Sequence, residues 1–307
     1  VARVLFGMIN NRSRPIGGVK VIYQAVAGLR RRGIDAYVAS AVGLPEWLEG
    51  SEVIENVALV DMSRPQTLGP RDIFVATDAM GPHRLPMLLG KPERRVIFIQ
   101  NHNAVRSNSA VDWSLLTHIR CLTVSDYSRR FLVDRAGFQE VAVVHPGVDR
   151  TVFRPVGTKR HRIAYMPRKW PGLAERLRER VRQPIEWLPI DGCTEAETAA
   201  ILAGSSIFLN LGRGEGFGLP PLEAMAAGCV VCGFAAQGTT DFATPDNGFW
   251  AAENDLDGCI RAIDGALDAF RDPGRVGRYV TAGLLTAERF ALPVFEDRLA
   301  EYFGALL

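Results

Sequence analysis

Lysine is nearly missing from this 307-residue chain: it occurs only at Lys20, Lys91, Lys159 and Lys169, and arginine supplies almost all of the positive charge. Acidic residues balance the basic ones to a formal net charge of +2, so electrostatics give no reason to expect a nucleic-acid partner. Cysteine is sparse, scattered and odd in number, which fits reduced thiols rather than a disulfide framework. The one pair with metal or redox spacing, Cys229-Val-Val-Cys232, lies in the apolar run CVVCGF, which reads as a strand. Residues three apart on a strand face opposite ways, so the two sulfurs would not share a metal. No apolar run reaches the roughly 18 residues that span a bilayer, and the opening VARVLFGMIN lacks a basic segment ahead of a long apolar one. The expected location is the cytoplasm, with peripheral association at the inner face of a membrane left open. Also missing is a G-x-G-x-x-G after the opening strand. Residues 7 to 18, GMINNRSRPIGG, do not supply it, which argues against a dinucleotide-dependent oxidoreductase. Nothing in the sequence calls for a divalent metal or a cofactor.

What is present is an ordinary globular composition, 47% hydrophobic and 23% charged. The length suggests two domains of about 150 residues each. Short β-rich runs alternate with helix-period runs, the pattern of parallel sheets with helices on both faces. Strands are expected at VARVLFGM, DAYVAS, DIFVATD, RRVIFIQN, RCLTVS and VAVVHPG. Ile22, Val26 and Leu29 mark a helix after Gly17-Gly18, and Arg30 to Arg32 close it with charge that complements a helix C-terminus. The polar, Pro/Gly-bearing stretch DRTVFRPVGTKRH is the expected boundary, giving a first domain over 1–155 and a second over 156–292. The alternation then restarts, with strands at HRIAYMPR, IEWLPI, SSIFLNLG, GCVVCGF and NGFWAAE. Helices are expected through Leu173, Leu177 and Val181, over Glu195 to Ala203, over Asp255 to Arg271, and from Pro293 to the end.

The densest signal is GRGEGFGLPPLEAMAAG, residues 212 to 228, which joins the strand SSIFLNLG to the helix LEAMAAG. A strand-to-helix loop in such a sheet is where ligands bind. Neither the glycines, Leu219 nor the two prolines carry a side-chain oxygen to cap the helix, so its first amides are left for an anion such as a diphosphate. Pro220 and Pro221 remove two of those donors, so the loop amides have to contribute more than the helix itself. Glu215 and Glu223 flank this turn and, as acceptors, match a ligand rich in hydroxyls. Taken alone, Glu223, read as lying in the first helical turn, is better explained by complementing the helix dipole. Glu215, inside the loop, has no such explanation.

This stretch resembles the E-x7-E signature of the retaining nucleotide-sugar glycosyltransferases of family four, in residue types as well as spacing. Glu215, Gly216, Phe217, Gly218, Pro220, Leu222, Glu223, Ala224 and Ala226 all fit it. Gly17-Gly18 is similar to the family's N-terminal glycine loop. TVSDYSRRFL resembles the segment before its interdomain strand, and HPGVDRTVFRP its linker motif. The resemblance implies a GT-B fold: two Rossmann-like, doubly wound α/β domains facing a central cleft, with the C-terminal helix 293–307 crossing back to the first. It implies transfer of a sugar from a nucleotide diphosphate donor to an acceptor hydroxyl, in polysaccharide, glycolipid or glycosylated-metabolite synthesis. Donor-binding residues would be Gly17, Gly18, Arg168, Lys169, Glu215, Gly216, Phe217, Gly218, Leu219 and Glu223. Within that set Glu223 would take the ribose, Glu215 the sugar hydroxyls and Phe217 to Leu219 backbone contacts. The catalytic group would comprise His102, Glu215 and Arg168. The family places a lysine five positions after the arginine; here that position is Leu173, and Lys169 stands next to Arg168 instead. The alternative reading is a catalytically silent nucleotide-sugar-binding partner subunit, while a plain interaction module would leave Glu215 unexplained. The remaining histidines, His83, His118, His145 and His161, read as structural.

Overall fold

A computed structural model describes residues 2–8, 16–41, 43–48, 56–61, 68–78, 94–107 and 111–307; His83 and residues 9–15 lie outside them. The chain divides into two compact units, Val1–Pro146 with Pro293–Leu307, and Gly147–Leu292.

In the first unit, strands β1 (Val4–Gly7), β2 (Ala36–Ser40), β3 (Leu59–Asp61), β4 (Ile73–Thr77), β5 (Arg95–Ile99), β6 (Arg120–Thr123) and β7 (Val141–Val143) form one parallel sheet in the order β3-β2-β1-β4-β5-β6-β7. The chain winds outward in both directions from the β1/β4 pair, which makes this sheet doubly wound. The strands β1, β4 and β5 are buried along their whole length, as strands covered on both faces should be, and this explains their near-continuous apolar runs. Helices α1 (Gly17–Arg31), α2 (Asn103–Ser107) and α3 (Asp126–Asp134) follow β1, β5 and β6. The strand β3 has no counterpart among the expected strands: it is a three-residue edge with two of its residues exposed, too short to carry an alternating pattern.

The second unit repeats the plan with β8 (Arg160–Tyr165), β9 (Glu186–Pro189), β10 (Ser205–Asn210), β11 (Val230–Ala235) and β12 (Gly248–Ala252), all parallel in the order β12-β11-β10-β8-β9. Its switch point lies between β8 and β10. Helices α4 (Leu173–Arg178), α5 (Glu195–Ala203), α6 (Leu219–Ala226), α7 (Leu256–Ala269) and α8 (Pro273–Arg289) cover it. Thr194 and Glu197 close α5 with a capping box, which is why its start was readable. The helix α8 was not among the expected helices; its Pro273 sits in the first turn, capped by Asp272, whose carboxylate accepts the Gly274 amide at 2.9 Å.

The division falls between Pro146 and Gly147 rather than at 155/156. Val148 pairs with the end of the same unit: its amide donates to the Phe290 carbonyl at 2.8 Å, and the Leu292 amide donates to the Val148 carbonyl at 2.8 Å. The final helix α9 (Leu292–Gly304) belongs, from Pro293, to the first unit. There Phe303 meets Phe6 edge-on at 5.6 Å, and Arg31 and Arg32 both bind the buried Glu296. These arginines therefore answer carboxylates of α9 as well as the end of α1. Among the described residues, no helix is long and apolar enough to cross a membrane.

Candidate functional site

In the second unit, the loops that leave the C-terminal ends of β8, β10, β11 and β12 pack against one another. The β10–α6 loop is the centre. Gly218 precedes α6 with φ 103°, a left-handed conformation that a side chain would strain, and no side chain caps the helix. The amides of Gly218 and Leu219 donate to no acceptor among the described residues, as expected of an anion-accepting turn. A second loop, residues 236–241, packs against the first. The Gly238 amide donates to the Glu215 carbonyl at 3.1 Å, and the Thr239 hydroxyl donates to the Phe217 carbonyl at 3.2 Å. A Cβ at Gly238 would lie 1.9 Å from the Gly216 carbonyl oxygen, so only glycine permits this approach. Phe217 is buried against Phe242 and Phe290, which anchors the loop from below.

The expected charged residues meet here. Arg168 and Lys169 lie in the single 3-10 turn Pro167–Lys169 that directly follows β8. Lys169 Nζ is 3.4 Å from Glu215 Oε1, so the lysine stands at the loop and not free in solvent. Arg168 beside it is exposed. Glu223 is nine-tenths buried on α6. The helix begins at Leu219, so Glu223 lies past its first turn, which contains no acidic residue. Helix-dipole stabilisation fades within the first turn, so that explanation of Glu223 is set aside.

In the first unit, Gly17 and Gly18 open α1, whose N-cap residue Ile16 offers no side-chain bond. Their amides have no acceptor among the described residues, and Gln100 Nε2 donates to the Gly18 carbonyl at 2.9 Å. His102 follows β5 and is only 2% exposed. Its Nδ1 is 3.0 Å from the Ser128 hydroxyl, which also bonds Ser125, and its ring lies 5.1 Å from those of Tyr127 and Phe131. The structure thus gathers Arg168, Lys169, Glu215 to Leu219 and Glu223 in one unit, and Gly17, Gly18 and His102 at strand ends of the other.

Sequence reasoning passed over Asn210, Arg213 and Glu253. Asn210 Nδ2 donates to the Phe234 carbonyl at 2.8 Å, tying β10 to β11 at the site's edge. Glu253 Oε2 accepts the Gly214 amide at 3.2 Å, and the Arg213 guanidinium lies 4.8 Å from the Trp170 ring centre. Glu253 was findable as the carboxylate that directly follows β12. The chain does contain one Asp-x-Asp triplet, Asp255-Leu256-Asp257, but Asp255 caps α7 through the Gly258 amide at 2.8 Å and Asp257 pairs with Arg180 at 2.6 Å. Cys229 and Cys232 are both buried; burial pushes the Cys229 thiol up to about 11 and raises the Cys232 thiol well above its ordinary value, which opposes thiolate ligation.

Residues 148–269 match the family described as Glycosyl transferases group 1. Over 310 aligned residues the chain is 24% identical to an α-1,6-glucosyltransferase of Actinobacillus pleuropneumoniae serotype 7 (strain AP76), covering 94% of this chain and 91% of that protein. Its fold is similar to that of sucrose-phosphate synthase from Thermosynechococcus elongatus, with a TM-score of 0.79 at 12% identity over 100% of this chain and 99% of that one. It is also similar to Anabaena HepE in complex with UDP-glucose, with a TM-score of 0.71 at 14% identity over 99% of each chain. The chain is a glycosyltransferase with the GT-B fold.

Proposed function

We propose that this glycosyltransferase moves a glucosyl-type sugar from a nucleoside diphosphate donor to an acceptor hydroxyl, with retention at the anomeric carbon, in polysaccharide, glycolipid or glycosylated-metabolite synthesis. The observation that carries the reading is the uncapped start of α6 beside a switch point, with Glu215, Lys169 and Glu223 around it. The diphosphate fits at the Gly218 and Leu219 amides, Glu223 is assigned the ribose hydroxyls, and Glu215 those of the sugar. Departure of the nucleotide leaves negative charge on the diphosphate, which preorganised amides and cations stabilise. Arg168 and Lys169 are the cations in reach of that turn. Lys169, paired with Glu215, is proposed to turn to the phosphate when the donor binds and release the carboxylate to the sugar. In the first unit, Gly17, Gly18 and His102 are the residues assigned to transfer, His102 with its Nδ1 held by Ser128. The UDP-glucose bound to HepE and the glucosyl activity named for the Actinobacillus relative support this donor class.

The test is release of UDP from UDP-glucose, with a panel of other nucleotide sugars beside it. Glu215→Ala is expected to lower turnover by at least about 100-fold while leaving the melting temperature within a few degrees. Glu223→Ala loses hydrogen bonds to a charged acceptor worth about 1.5–3 kcal/mol, which corresponds to a donor KM raised about 10- to 100-fold. Full turnover in Glu215→Ala would overturn the mechanism. A protein that binds no nucleotide sugar would overturn the donor assignment, and binding without transfer or hydrolysis would favour a silent partner subunit.

A further inference from the structure

We infer that Glu253, together with the Arg213–Trp170 stack, positions Glu215 for the transfer reaction, an inference that rests on the function proposed above. The loop holding Glu215 is fastened at three consecutive residues, between them to the segments that follow β8, β11 and β12. Arg213 lies over Trp170, with its guanidinium carbon 4.8 Å from the ring centre. Trp170 in turn stacks on Phe234 of β11, which is fully buried, with ring centres 5.8 Å apart and planes 23° apart. Gly214 donates its amide to Glu253 Oε2 at 3.2 Å. Glu215 is held by Gly238 through its carbonyl, at 3.1 Å, and by Lys169 through its carboxylate, at 3.4 Å. Lys169 and Trp170 are neighbours in sequence, so the turn after β8 grips the loop at alternate residues.

Glu253 is itself aimed by its backbone. Asn254 adopts a left-handed φ of 71°, a conformation that asparagine tolerates better than most residues, and the Asp255 amide closes the turn on the Ala252 carbonyl at 3.1 Å. Asp255 then caps α7, fixing the far end of the turn. The carboxylate is therefore delivered from the end of β12 to the residue that precedes Glu215. A charged acceptor on a backbone amide makes a short, directional bond, stronger than one between neutral groups. Its loss removes a directional restraint from Gly214, a residue with little conformational preference of its own, and loosens the direction of the Glu215 side chain. A displacement of about 1 Å in a group that orients substrate can lower turnover by about 100-fold.

The experiment compares Glu253→Ala, Glu253→Gln and Arg213→Ala in the full chain. Glu253→Ala is expected to lower kcat with UDP-glucose by about 10- to 100-fold, with donor KM within about threefold of the parent. Glu253→Gln retains an oxygen that accepts the Gly214 amide and should recover most of that loss. Arg213→Ala should lower kcat by a smaller factor of about three to ten. In parallel, amide hydrogen exchange over residues 211–218 is read without substrate. Glu253→Ala should speed exchange of this peptide at least tenfold, and Glu253→Gln should leave it near the parent. Unchanged exchange in Glu253→Ala overturns the proposal whatever the activity. Fast exchange with unchanged kcat overturns the positioning role, and a Glu253→Gln variant as slow as Glu253→Ala would mean that the charge acts on the substrate directly. A parent protein that turns over no donor refutes the proposed function, while the exchange comparison still decides whether Glu253 orders the loop.

Discussion

Replacing Glu296 by alanine should detach the last helix from the first unit, and the size of the effect follows from how its carboxylate is held. Glu296 is 4% exposed, and both of its oxygens are taken by arginines at the end of α1, Arg31 and the C-cap residue Arg32. A hydrogen bond to a charged group contributes about 1.5–3 kcal/mol net. The two arginines are 38% and 22% exposed, so each regains water when the carboxylate is removed, and the lower end of the range applies to both. The expected loss is about 3 kcal/mol. The neighbouring Asp297 makes a shorter-range comparison: it bonds Arg32 Nε at 2.6 Å but is 71% exposed, and an exposed pair contributes about 0–1 kcal/mol. With about 2–4 °C per kcal/mol for a unit of this size, Glu296→Ala should lower the calorimetric transition of the first unit by about 6–12 °C. Asp297→Ala should lower it by about 4 °C at most. High salt should erase the Asp297 effect and leave most of the Glu296 effect, because screening acts weakly on buried pairs. Equal shifts in the two variants, or a Glu296 shift under about 2 °C, would refute the reasoning and leave the packing of Phe295 and Phe303 as what docks the helix.

Three further outcomes concern Lys159 and the cysteines. Lys159 Nζ donates to the carbonyls of Leu202, Ala203 and Ser205 at 2.9–3.0 Å, so Lys159→Met, which keeps the stem, should destabilise this unit by about 2–4 kcal/mol in urea. All five cysteines are free; Cys193 is half-buried and the other four are buried, so a thiol reagent at neutral pH should find one fast site and four more only on unfolding. Burial pushes the Cys229 thiol up to about 11 from an ordinary 9.0, with nearby Lys159 acting in the opposite sense. A raised folded-state value means a contribution to stability that is complete below pH 9 and lost as pH rises through 11, roughly 2–3 kcal/mol for this thiol. Cys229→Ala should therefore lose less stability than the parent over that window, read from urea midpoints.

Every strand that carried a run of four or more apolar or β-branched residues was legible, because strands covered on both faces must be apolar throughout. What escaped did so for local reasons. The edge strand β3 is too short to hold a pattern, and α8 opens on proline and glycine, residues whose meaning depends on whether they stand inside a helix or at its first turn. The boundary was displaced because composition at 149–161 marks exposed polar chain, whereas unit membership is decided by hydrogen bonds such as those joining Val148 to Phe290 and Leu292. Contacts between residues far apart in sequence leave no trace in local composition.

The same limit separates the two glutamates of the glycine-rich turn. Glu215 stood out because nothing nearby in the sequence explained a charge inside a glycine loop, and its partner Lys169 comes from a strand end forty-six positions earlier. Glu223 was ambiguous because its meaning depends on where the helix starts. With Leu219 as the first helical residue, Glu223 falls beyond the reach of the helix terminus and is nonetheless nine-tenths buried. A carboxylate in that position needs partners to offset its lost hydration. Under the proposed function, a ligand offering hydroxyls adds to the partners Glu223 has within the protein. Glu253 extends the logic one strand further, since every strand of this sheet ends on the same edge, and any carboxylate that directly follows one of them lies where a donor would be read.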